Sequence, residues 1–503
     1  MGVADSRPFC YIKASGARPS AFLGVKDFVK LFELDYRSLA LYRVSLGGVL
    51  LYDLAARLRE VPTFYTDSGV LPRAPLIEQF QGQWSWSIHL LSGAAPAQYF
   101  LFALAALCAV AFLVGYRTRL ATLASLLLLI SLHNRNPLVV SASDQLIRVL
   151  LFWTLFLPVG AAYSVDRALA GPDAGPRGSN ASAGTAAFVL QICLVYWFTA
   201  ALKSDPVWWH EGSALYYTLS IDYLTTDFGR AMLAFPGLLR VLSVFSIVLE
   251  TVGPALLFFP RRPWRLRTAV VFTFIAFHAS MLPFLTLGTF PFVCAAMWSS
   301  LLPPEFWERA GERLGSPGAW ASSLRPPTSA RRASTAANVL AALFFAYVLL
   351  WNLASATAGR VGVPAQAEWV AHVTGLAQVW NMFAPYPKRD DGWYIIPAKL
   401  EGGTEVDLFR GGAPVNWAKP ASVSALYPNA YWQKYLEYIW LRDYAGARLY
   451  YARYLCREWN AAHGGADAVK TFDIVYMRED TPPPGHPEPL AESVVVWHHD
   501  CTK

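Results

Sequence analysis

Residues Phe188 to Tyr217 read FVLQICLVYWFTAALKSDPVWWHEGSALYY: an uncharged helical run meets one lysine, Lys203, and turns at once into an aromatic, acidic, Gly-containing segment. A run this apolar belongs in a bilayer, where an ammonium group costs a few kcal/mol at mid-depth and much less near a helix end. Lys203 therefore has two readings. It snorkels to the headgroups as an anchor, or it is a partly buried base whose desolvated amine takes a proton from an acidic substrate.

Composition puts the whole chain in the same setting. Of 503 residues, 55% are hydrophobic and 15% charged, and the mean hydropathy is positive, which is too apolar for a water-soluble chain of this length. The formal charge of +7 does not signal nucleic acid, because the arginines fall in short clusters between apolar runs, as in cytoplasmic loops. Met1 to Glu33 lacks a continuous apolar core followed by a small-residue cleavage site, so the first span is expected to be an uncleaved anchor.

Working outward, hydropathy and loop charge predict a mainly α fold, a polytopic membrane bundle of about nine spans over residues 36–356. Residues 1–35 form a cytoplasmic or interfacial segment in which 22–34 has helical spacing. Spans are expected at 36–58, 98–115, 119–131, 146–159, 188–202, 242–259, 269–282, 285–302 and 339–354. The Arg117–Arg119 turn, the Gly- and Pro-rich linker 163–182, the arginines from Arg261 to Arg267 and the loop 305–338 lie inside. Segment 283–302 is a hairpin or a re-entrant element, and span parity favours the hairpin. Two local ion pairs are expected from spacing, Asp53 with Arg57 and Asp144 with Arg148. The N-terminus then lies in the cytoplasm and the C-terminus outside the cell membrane.

Residues 357–503 change character and predict a small α+β extracytoplasmic domain. Segments 393–400 and 405–409 flank Glu401, Gly402 and Gly403 as a hairpin, 431–460 has broken helical spacing, and 469–477 and 493–498 read as strands. Cys456 and Cys501 both fall here, where an oxidising compartment permits a disulfide. Cys10, Cys108, Cys193 and Cys294 read as packed thiols.

Signatures of soluble enzymes are missing: there is no Gly-rich phosphate loop, CxxC pair, HExxH or GxSxG. His498, His499 and Asp500 do not suggest a metal, since adjacent strand residues point to opposite faces, and no metal is expected. What remains is the set of ionisable residues within spans, Lys203, Glu250 and His278. Their bland readings are an anchor, a protonated carboxyl in an interhelical hydrogen bond and a neutral histidine on a carbonyl. Because they stand on three successive spans, they are candidates to face one cavity.

The segments around them are similar to those of the vitamin K-dependent gamma-carboxylases and their bacterial homologues, the HTTM-domain proteins. The resemblance covers roughly 35–304 and rests on FYTDSGVLP at 64–72, YSVD at 163–166, the stretch from Lys203 to Tyr217 with Trp209, Glu211 and Gly212, and His278 followed by Gly288 and Phe290. It implies a chemistry in which a lysine takes a proton from a reduced quinone, vitamin K hydroquinone or menaquinol, that O2 then oxidises toward the epoxide. In the animal enzymes this step removes a γ-proton from a peptide glutamate, to which CO2 adds.

By the same resemblance, Lys203 is the base and His278 a hydrogen-bond partner of the quinol. Trp209, Glu211, Gly212 and Glu250 are substrate-binding, together with Asp144, the nearest polar residue to a second-site histidine that has no clear counterpart. The quinol's apolar tail enters from the lipid bilayer. The C-terminal region, with WNMFAP at 380–385 and Asp390 to Trp393, is similar instead to the tails of bacterial HTTM proteins. Two functions stay open: a quinol-dependent oxygenase or carboxylase-like enzyme, and a maturation or immunity factor for a secreted peptide. A transporter ranks lowest because no inverted repeat is seen.

Overall fold

The structure is a computed structural model that describes residues 29–81, 83–170, 179–259, 263–314, 333–487 and 489–502. The expectations for Cys10, residues 22–28, part of the 163–182 linker, Arg261 and Arg262, and the loop arginines Arg325, Arg331 and Arg332 lie outside the described residues.

Each predicted span contains a helix. These are α1 (Tyr36–Leu58), α2 (Ala95–Val114), α3 (Thr118–Arg135), α4 (Ala142–Thr154), α5 (Ala183–Leu202), α6 (Pro236–Val252), α7 (Pro263–Ala279), α8 (Phe290–Ser299) and α9 (Thr335–Ala356). Five are long and apolar enough to cross a membrane: α1, α2, α5, α9, and α6 with its extension to Phe258. The other four fall short for separate reasons. Helices α4, α7 and α8 have 13, 17 and 10 residues, against the roughly 20 that a bilayer core needs. Helix α3 ends in His133, Asn134 and Arg135, which dilute its hydropathy.

Local chemistry sets the boundaries. Asp35 caps α1 by accepting from the Arg37 N–H, and Ser182 with Thr185 forms a reciprocal capping box at the start of α5. Gly115 closes α2 at φ 71°, where an added Cβ would lie 2.5 Å from the Ser164 Cβ. Helix α1 forms the centre, flanked by α2 and α8, while α5 packs on α9 and α6. Leu39, Tyr42, Leu46 and Leu50 of α1 are buried in the core. Arg43 is buried there too, its guanidinium donating to the carbonyls of Leu113, Val159, Ala162 and Tyr163, so one cation ties the end of α2 and the segment after α4 to α1.

The C-terminal region folds as expected into a small α+β unit. Strands β1 (Asp390–Ile395), β2 (Pro397–Leu400), β3 (Glu405–Asp407), β4 (Val469–Asp480) and β5 (Glu492–Asp500) form one antiparallel sheet. The long β4 pairs with β1 and β2 along one edge and with β5 along the other, and β2 pairs with β3 as the hairpin expected around Glu401–Gly403, although residues 393–395 of its predicted first arm belong to β1 and pair with β4 instead. Helices α10 (Ala430–Trp440) and α11 (Gly446–Ala462) carry the helical spacing of 431–460, with the expected break between them. Cys456 on α11 is bonded to Cys501 just after β5, with Cα atoms 5.7 Å apart, as expected for the two cysteines of this region. His498 and His499 do face opposite ways, toward Asp473 and the Phe472 ring respectively. Helix α10 seats the unit on the end of α1: the Tyr431 hydroxyl donates to Asp53, and Asn429 and Trp432 donate to Glu60.

Candidate functional site

Helix α5 ends at Lys203, whose backbone leaves the helical region at φ −77°, ψ 66°. Pro206 starts a short helical turn through Trp209, capped by the Asp205 side chain. That turn folds the indoles back on the lysine. The Lys203 Nζ lies 4.2 Å from the centre of the Trp208 ring, and the Trp209 Nε1 donates to the Lys203 carbonyl at 2.7 Å. From α6, Glu250 presents both oxygens to Nζ, at 2.9 and 2.7 Å. Both side chains are buried, with residue exposures of 3% and 7%. Lys203 thus faces a carboxylate and an indole, and the snorkelling reading does not hold. The interhelical partner of Glu250 is this same Lys203.

Two turns earlier on α5 stands Tyr196, seven residues from Lys203. At 3.6 residues per turn and 1.5 Å per residue, the two share a helix face roughly 10 Å apart along the axis. The Tyr196 hydroxyl accepts from the Trp298 Nε1 at 2.6 Å and lies 2.7 Å from the His278 Nε2. With the phenol donating to Nε2, the neutral imidazole carries its proton on Nδ1, a buried atom without a hydrogen-bond partner among the described residues. Aromatic rings surround it: Phe290 meets the imidazole edge-on at 5.6 Å, and Phe274 stacks on Trp298 at 4.0 Å. The expected carbonyl partner of His278 is therefore a phenol.

The helices carrying these groups are in contact. A Cβ on Gly253, one turn beyond Glu250 on α6, would come within 2.7 Å of the Phe274 ring, so α6 lies against the aromatic cluster around His278. Lys203 and Glu250 are thus brought into direct contact, and His278 joins them along one face of α5 without touching either.

The remaining candidates lie apart. Gly212 takes a left-handed φ of 69° with its α carbon close against Arg240, a position suited only to glycine. Glu211 is exposed and accepts from the Ser213 hydroxyl. Asp144 belongs to a second buried cluster at the ends of α1, α3 and α4. Arg57 donates to Asp53, to Asp144 and to the Tyr65 hydroxyl at 2.8, 2.6 and 2.9 Å.

The expected Asp53–Arg57 pair is present, but the expected Asp144–Arg148 pair is not. Asp144 caps α4 by accepting from the Ser141 N–H, which turns its carboxylate toward α1 and Arg57, and Arg148 instead reaches His133 at 3.2 Å. Like His89, His133, 3.3 Å from Asp144, is a buried histidine that the sequence reading passed over. It stands among polar residues at a helix end, where no periodic signal marks it. Asp53, His133 and Asp144 have the ligand types and spacing of a metal site, but the Arg57 guanidinium already occupies the space between the two carboxylates as their counter-ion.

The family model of the HTTM domain matches residues 33–307, more than half of the chain and all of the residues just described on α1 to α8. No curated protein and no solved structure matches the chain.

Proposed function

Because the chain belongs to the HTTM-domain family, which is found in vitamin K-dependent gamma-carboxylases, we propose that it is a membrane enzyme that takes a proton from a reduced quinone. The supporting observation is the Lys203–Glu250 pair, buried at the end of α5 beside an aromatic cluster whose histidine has an Nδ1 without a hydrogen-bond partner among the described residues. These residues fit a flat phenolic substrate: His278 Nδ1 offers one hydrogen bond, and the rings of Phe274, Phe290 and Trp298 offer apolar walls. A bound hydroquinone supplies an acidic phenol and, with O2, an oxidation that ends in the epoxide.

The residues of the chain handle the proton. An ammonium cannot act as a base, so Lys203 must first lose its proton, and Glu250 is placed to hold it. Moving the proton from Nζ to a Glu250 oxygen turns a buried ion pair into a neutral pair, a change that low dielectric makes inexpensive. Trp208 covers the amine and excludes water from it. The neutral amine then accepts the substrate proton. Carboxylation of a peptide glutamate with CO2 is a further step that this reading permits, with the C-terminal region as the place where a secreted peptide would dock.

In the same reading the four shorter helices complete about nine membrane segments, with the N-terminus cytoplasmic and the C-terminal unit outside the cell membrane. The test is turnover in lipid nanodiscs: vitamin K hydroquinone or menaquinol is added under air and the epoxide measured by mass. Lys203→Ala should abolish the product while the protein stays folded. No epoxide from any of several quinols would shift the reading to a maturation factor for a secreted peptide.

A further inference from the structure

A recess lies away from α5, where the loop after it meets the C-terminal sheet. It holds about 60 Å³ and is walled by Tyr223 of that loop, Tyr394 of β1, Tyr427, Trp440 of α10 and Tyr476 of β4. The rings are set around the space: Trp440 lies 4.3 Å from Tyr476, and Tyr476 lies 5.0 Å from Tyr394. Tyr476 is 5% exposed, so its ring forms an inner wall of the space. Two carboxylates, Asp390 and Glu437, also line the recess, and Glu437 is the one that meets a lysine there.

The recess already holds a cation supplied by the chain. The Lys388 Nζ lies 2.5 Å from Glu437 and 3.4 Å from the Tyr223 hydroxyl, with the Tyr223 ring centre at 5.9 Å. Lys434 binds the other Glu437 oxygen at 3.0 Å from outside the cage. Against the upward push of burial, Lys434 and Lys388 hold the Glu437 carboxyl below its ordinary range, so it stays ionised. Lys388 is the movable member, because its side chain is 37% exposed and unbranched and can swing out to water.

We propose that this aromatic cage is a binding site for an organic cation, an alkylammonium group, which exchanges with Lys388 on Glu437. The exchange conserves charge: one ammonium leaves the carboxylate and another takes its place. Aromatic faces favour the incomer when it is alkylated, since a methylated cation sheds water more readily than Lys388 and gains the quadrupoles of several rings. The room available suits a small headgroup of this kind, being several times what one water needs. The cation comes from a free amine or from the side chain of a basic peptide, and the site's chemistry is the same for both. This inference does not depend on the quinol reading.

The test is calorimetric titration of the full chain in nanodiscs with choline, and with 3,3-dimethylbutanol as its uncharged isostere. Choline should bind and the isostere should not. Lys388→Met removes the internal competitor and should tighten choline binding about tenfold or more, whereas Glu437→Gln should abolish it. A choline-induced rise in melting temperature, larger in Lys388→Met than in the unaltered chain, reads the same effect without relying on the glutamine variant. Peptides carrying trimethyllysine or lysine, run as competitors, separate the sources: a peptide that displaces choline at lower concentration than free amine marks a peptide site. Equal binding of the isostere, or no tightening on removal of Lys388, overturns the proposal.

Discussion

Lys203 and Glu250, 47 positions apart in the chain, meet end to end, with Nζ within 2.9 Å of both carboxylate oxygens and the indole of Trp208 over the ammonium. Breaking such a pair by removing one partner leaves an uncompensated buried charge, at a cost of about 3–5 kcal/mol. Glu250→Leu should therefore lower the melting temperature, while the double replacement Lys203→Met with Glu250→Leu should restore most of it. Neither should form epoxide. A double variant no more stable than the single one would show that the charges do not pair in the membrane.

The phenol of Tyr196 serves two partners, and Tyr196→Phe strands both the Trp298 N–H and one nitrogen of His278. Leaving buried polar groups unpaired costs about 1–3 kcal/mol each. In a quinol assay the variant should lose turnover by about tenfold or more while keeping the helical circular dichroism. Unchanged turnover would remove His278 from the substrate's surroundings.

Where the loop after α5 meets the C-terminal sheet, Asp391 accepts from the Asp222 N–H at 2.5 Å, and Lys419 bridges Asp222 and Glu479 at 2.6 and 2.5 Å. Burial first, and then the Asp222 charge, push the Asp391 carboxyl up to about 7. A carboxyl whose folded value exceeds its unfolded value of about 4 stabilises the fold fully below that lower value, and the contribution is lost as pH rises toward 7. Hydrogen exchange at residues 390–395 should quicken across that window. Asp391→Asn should flatten the profile and slow exchange at pH 8.

Arg57 bridges Asp53 and Asp144 in the second cluster, and it also underlies the Tyr431 ring at 4.5 Å. Arg57→Met should destabilise by about 3–5 kcal/mol, because two buried carboxylates lose their counter-charge at once. Adding Asp53→Asn and Asp144→Asn should recover part of the loss in thermal melts. A single variant as stable as the original would mean that these carboxyls are neutral.

The bond between Cys456 and Cys501 closes a loop of 45 residues that includes β4 and β5. Chain-entropy arguments put its contribution at about 2–4 kcal/mol. Replacing both cysteines with serine should lower the melting point of the C-terminal unit selectively, read by proteolysis, and leave the bundle helices protected.

What the sequence determined by itself was everything carried by local pattern. Apolar runs marked the helices α1 to α9, strand alternation and turn residues marked the β2–β3 hairpin and the strands β4 and β5, and two cysteines in one region permitted a disulfide between them. The Asp53–Arg57 pair was legible as well, because four residues on a helix is a local distance.

The site was legible only as a list. Whether Lys203 met water or Glu250, whether His278 met a carbonyl or Tyr196 at a separation of 82, and whether Asp144 met Arg148 or Arg57 at a separation of 87 was decided by how helices pack. Packing decides it because buried charges and hydrogen-bonding groups must find partners wherever neighbouring helices present them, and no residue's own neighbours in the chain record which helix that will be.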